Sequence, residues 1–164
     1  MPPKVFPHAP RARALLLALT ALTLVVACGT VERDESGQIV GSGTLDVALM
    51  KAGDCFQSLH EDILTLDDVP GVPCGEPHDN EVFHIFAVEG ETWPGDEAVE
   101  AMAFNTCIDA FEVYLEVAWT ESQLDFTWLS PTQRAWEQLG YREIVCFLYE
   151  EDRRLTGSMK ASGR

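Results

Sequence analysis

Most of the familiar catalytic and redox signatures are missing from this chain. No Cys-x-x-Cys occurs, so a thioredoxin-like dithiol has no support. No Gly-x-Ser-x-Gly places a serine on a nucleophile elbow. Neither a P-loop nor a dinucleotide-binding glycine pattern is present, and no cofactor is implied. The stretch "HEDIL" at 60–64 begins like a zinc-protease helix, but Leu64 stands where the second histidine belongs. Basic residues are scarce as well: eleven Lys and Arg face 27 Asp and Glu. Three of the eleven (Lys4, Arg11 and Arg13) and none of the acids stand before residue 28, which leaves 8 − 27 = −19 beyond it. Such a surface is repelled by nucleic acid, anionic lipid headgroups and anionic wall polymers. Basic or neutral protein surfaces, cations and neutral glycans remain as partners, and solubility alone is the plainer use of the charge.

Long apolar runs are absent too. Residues 14–26, "ALLLALTALTLVV", follow a positively charged start and match the core of a signal peptide, falling short of an ordinary membrane span. They end in Val25-Val26-Ala27-Cys28, which resembles a bacterial lipobox. The resemblance implies cleavage after Ala27 and a diacylglycerol on the Cys28 thiol, holding the protein on the outer, extracytoplasmic face of the cell membrane. Each buried acyl CH₂ is worth about 0.8 kcal/mol, and stable anchoring takes more than one chain. Removing Cys28 from the five cysteines leaves Cys55, Cys74, Cys107 and Cys146, an even number that an oxidising compartment would bridge. Three pairings are open; sequence order favours Cys55–Cys74 and Cys107–Cys146.

Residues 28–44 are polar and Gly/Ser-containing, without sustained apolar periodicity, and are expected to be a flexible tether. Residues 45–160 have the length of one domain with one core. "LDVALM" alternates like a short strand or edge, "AGDCF" is a turn into a strand, and prolines 70 and 73 keep "VPGVPC" extended. In "EVFHIFAVE" strict alternation puts Val82, Phe86 and Val88 on one face and Phe83, Ile85 and Ala87 on the other, a strand covered on both sides. A long helix is expected over about 95–120, with Phe104, Cys107, Ile108, Phe111, Leu115 and Ala118 as its buried stripe. Asp96, Glu97 and Glu100 crowd its first turn, where the macrodipole favours anions. Further strands are expected at "QLDFTW" and "YREIVCFLY", separated by a helix starting at Ser130-Pro131 and stopping at Gly140. The tail is expected to add a short strand at Leu155 and then fray. The sum is α+β, a mainly antiparallel sheet with one long amphipathic helix packed on it.

The densest chemistry lies in "CGEPHDNEVFH", residues 74–84. His78, Asp79, Glu81 and His84 are candidate ligands, but zinc wants three or four converging donors. In a regular strand Glu81 and His84 point to opposite faces, and Cys74 is better used in a disulfide. His78, Asp79 and Glu81 therefore remain as candidates for a weak cation or solute contact rather than a closed metal site. The structural alternative is a turn set by Pro77 with side-chain bonds to the backbone. Trp93, Trp119, Trp128 and Trp136 could form a glycan or peptide platform, although core or half-core packing is expected for at least three of them. No catalytic residue is identified, and no enzymatic activity is expected.

Five pieces, "AGDCF", "VPCGEPHDNEVF", "WPGDEAV" leading to Cys107, "SPTQRAWEQLGYREIVC" and "LTGS", together resemble the septum-formation domain of actinobacterial exported proteins over about 52–158. The resemblance implies an extracytoplasmic, membrane-attached protein of the cell envelope linked to septum formation, and brings no reaction with it. The expected function is a non-catalytic interaction module for envelope or division proteins. The alternative is a solute- or cation-binding lipoprotein.

Overall fold

The computed structural model describes residues 29–58 and 68–164; the signal segment, Cys28 and the "HEDIL" stretch lie outside them. The elements are β1 (Glu32–Arg33), β2 (Ile39–Gly41), β3 (Gly43–Asp46), β4 (Cys55–Phe56), β5 (Asp68–Val72), β6 (Asn80–Ala87), α1 (Asp96–Leu115), β7 (Asp125–Leu129), α2 (Gln133–Leu139) and β8 (Glu143–Tyr149). Six strands form an antiparallel sheet in the order β3-β5-β4-β6-β8-β7, and β1 and β2 form a separate hairpin. This is the α+β architecture expected, with both disulfides as sequence order favoured them: Cys55–Cys74 and Cys107–Cys146.

Helix α1 lies on one face of the sheet. Its buried stripe is Val99, Ala103, Cys107, Phe111 and Leu115, which packs on Phe83, Phe126, Ile144, Cys146 and Leu148. The Cys107–Cys146 bridge joins helix to central strand across this core. Phe104, expected in the stripe, is instead 41 % exposed, because positions 99, 103, 107, 111 and 115 repeat every fourth residue and leave 104 on the flank. The helix also stops earlier than expected. Glu116 adopts a left-handed conformation with φ of 62°, at a cost of about 1–2 kcal/mol for a non-glycine residue. The reversal brings Trp119 back against Phe126, 5.6 Å between centroids. Helix α2 likewise starts later than expected: Thr132, not Ser130, is its N-cap, accepting a bond from the Ala135 N–H.

Strand β6 departs from strict alternation. Glu81 pairs with Leu148 and Val82 with Phe147, but His84, not Phe83, pairs with Cys146. The extra residue is a bulge, and it shifts every later side chain to the other face. Phe83 and Phe86 both join the helix-side core, while Val82 and Ile85 share the opposite one. His84, paired to the helix-facing Cys146, therefore lies on the same face as Glu81, contrary to the alternation argument.

The opposite face is covered by the segment expected to be a tether. Ile39 and Leu45 are buried with Phe56, Val69, Val82, Val145 and Phe147, and Val31 packs against them. Gly71 is required here, since a Cβ would sit 2.5 Å from Val31 Cγ1. Arg33 makes a two-pronged ion pair with Asp54 at 2.6 and 2.7 Å, and Asp54 is 2 % exposed. Residues 29–44 thus belong to the fold. Because removing Arg33 leaves a buried carboxylate on the Lys51 N–H alone, Arg33→Ala should cost about 3 kcal/mol in urea unfolding, whereas a tether residue would cost nothing measurable.

Candidate functional site

The "CGEPHDNEVFH" stretch sends its three candidate ligands to three different tasks. His78 is fully buried. Its backbone pairs both ways with Leu155, at 3.0 and 2.7 Å, and its ring bonds the Glu76 carbonyl through Nδ1 at 2.8 Å. Facing a carbonyl, Nδ1 carries the proton. Asp79 accepts from the Ser58 N–H at 2.8 Å and from Arg154 Nε at 3.1 Å. Glu81 turns inward from β6 and is 0 % exposed.

A buried carboxylate is costly unless its lone pairs are met. Here three donors meet them: Tyr114 Oη at 2.8 Å and Ser158 Oγ at 2.5 Å on Oε1, and the Met159 N–H at 2.7 Å on Oε2. The bonds join β6, α1 and the tail at one point. Burial, and then the Glu81 charge, push the Tyr114 phenol well above its ordinary value, so it stays a donor. The tail does not fray: the Gly157 N–H reaches the Cys74 carbonyl at 2.7 Å, Ala161 reaches Tyr114 at 2.8 Å, and Gly163 reaches Leu115 at 2.9 Å. Among the described residues, Cys55, Cys74 and Glu81 form a group with metal-ligating spacing, but the two sulfurs are bonded to each other. The pattern therefore reads as a lock on the fold. Its partners Tyr114 and Ser158 carry no signal in sequence beyond the place of Ser158 in "LTGS".

A more open feature lies at the start of α1, where a cleft of about 360 Å³ is lined by Trp93, Asp96, Glu100, Trp128, Ser130 and Thr132 among others. Trp93 is set from behind by Trp136, edge to face at 5.5 Å, and Trp136 in turn carries the Arg142 guanidinium 3.7 Å above its ring. On the other wall Trp128 donates its indole N–H to Glu100 at 3.2 Å. Phe104 and Trp119 continue the aromatic surface, with centroids 6.3 Å from Trp128 and from Phe104 respectively. Trp136 is fully buried, and Trp93, Trp119 and Trp128 are half-buried against the helix-side core, the core or half-core packing expected of them. The platform reading of the tryptophans thus has a geometric counterpart, and the sequence did not reveal that Phe104, Glu100 and Asp96 share it.

Two outcomes check the lock. Glu81→Gln replaces one acceptor oxygen with a donor and should lower unfolding stability by about 2 kcal/mol. Tyr114 must remain protonated in the fold, so its contribution is complete below the ordinary phenol value of 10.0 and is lost as pH rises beyond it. Tyr114→Phe should flatten the alkaline fall in stability, measured by urea titration at a series of pH values.

No curated protein and no solved structure matches the chain. The family model described as "Septum formation" matches residues 27–163, from the proposed lipobox through the docked tail, and the chain belongs to that family.

Proposed function

We propose that this protein is a lipid-anchored, extracytoplasmic interaction module of the cell envelope that holds or regulates division or wall-synthesis proteins without catalysis. Membership of the septum-formation family carries the link to the septum. The Val25-Val26-Ala27-Cys28 sequence supports the anchor, and two disulfides suit an oxidising compartment. In the most chemistry-like stretch, His78 Nδ1, Asp79 and Glu81 are engaged in holding the fold together, which supports a binding role over a reaction. Surface area and charge are then what the domain offers.

Metabolic labelling with an alkyne palmitate analogue should mark the wild type and not Cys28→Ser. A fluorescent fusion should concentrate at the septum, and crosslinking in living cells should capture division or wall-synthesis proteins with both wild type and His78→Ala. Uniform envelope labelling, with no septal defect on deletion, would overturn the septal reading.

A further inference from the structure

We propose that the cleft between Trp93 and Trp128 is where a partner protein docks a lysine or arginine side chain, its charge on Asp96 and Glu100 and its aliphatic stem along Trp128 and Phe104. This rests on the interaction-module reading and names the contact. Indole faces attract cations, lysine and arginine alike, and more strongly when water is displaced. The two carboxylates in the cleft make no salt bridge among the described residues. Glu100 accepts only long bonds, from Trp128 Nε1 at 3.2 Å and Ser130 Oγ at 3.4 Å, and keeps its charge for an incoming group.

The start of α1 opposes this, since a helix N-terminus carries about half a positive charge. Asp96, Glu97 and Glu100 outweigh it. The chain already contains the same contact in miniature, for Arg142 lies over Trp136 directly behind Trp93. Phe104, at 41 % exposure, supplies apolar area beside the charge, as a long cationic side chain needs. Charge decides the class of occupant: a neutral glycan would use the indoles and hydroxyls and leave the carboxylates unneutralised.

The test is a titration of the full-length protein in non-ionic detergent with the capped peptide Lys-Val-Lys-Val-Lys, followed by the indole N–H resonances of Trp93 and Trp128. Wild type should show saturable shifts at both indoles. Glu100→Gln should weaken binding about fivefold and Trp128→Phe should weaken it less, while Glu112→Gln with Glu116→Gln, elsewhere on α1, should leave it unchanged. Glu100→Gln keeps the side-chain shape, so an unaltered melting temperature separates loss of binding from loss of fold. If every lost carboxylate weakens binding equally and no indole shifts, the attraction is diffuse charge and the site is overturned. If a neutral chito-oligosaccharide shifts the indoles and the peptide does not, the cleft is a glycan surface and the cationic assignment fails. Either failure leaves septal localisation, and with it the module reading, standing.

Discussion

The fold turns on one buried carboxylate. Glu81 comes from the middle of the sheet, Tyr114 from the last turn of the long helix, and Ser158 and Met159 from the tail. None of these segments is close to another in sequence, and each loses a hydrogen bond if Glu81 moves. A charge excluded from water demands that its partners be in place together. That demand, together with the burial of Leu155 and Met159 in the helix-side core, explains why a tail rich in small and polar residues lies ordered along α1. The neighbouring Cys55–Cys74 bridge and the His78–Leu155 backbone pairing hold the same corner from the other side.

With that corner fixed, the apolar surfaces of the sheet have distinct covers. Helix α1 closes one face, riveted by Cys107–Cys146, and the N-terminal hairpin closes the other. The aromatic side chains that neither cover reaches fully lie along the flank of α1 and over β7. Phe104, Trp119 and Trp128 meet there edge to face and partly open.

Elements that satisfied a single simple rule were legible in the sequence. The long helix, the strands at 125–129 and 143–149 and the sheet-plus-helix class followed from periodicity, and cysteine order matched both bridges. The departures share a cause: each depends on a contact distant in sequence. The bulge in β6 exists because Phe83 and Phe86 are both wanted under α1, and alternation cannot anticipate an inserted residue. The segment 29–44 looks like linker because its apolar residues are few, yet Val31, Ile39 and the Arg33–Asp54 pair suffice when they meet a ready-made apolar face. The tail looks frayed for the same reason, its hold resting on two spaced apolar residues, Leu155 and Met159, the Ser158 hydroxyl and backbone N–H groups. Of the candidate site, His78, Asp79 and Glu81 were visible as chemistry, but only the fold shows the three facing different partners.

The folding of residues 29–44 changes what an anchor would do. A lipid on Cys28, as proposed, would sit one residue before Gly29, whose carbonyl accepts from the Thr44 N–H at 2.9 Å on edge strand β3. Thr30 bridges Thr44 in parallel alongside. No slack would then separate membrane and domain, and the β3 edge would be held at the bilayer. The sheet order places β7 at the opposite edge, five strand spacings or about 24 Å away. The Trp93–Trp128 cleft, lined by Thr127 and Trp128 of β7, lies at that far edge. With a lipid in place, repulsion between the acidic domain and an anionic membrane would favour holding the cleft away from the headgroups. A flexible tether would give the domain a reach that a connection folded from residue 29 onward does not.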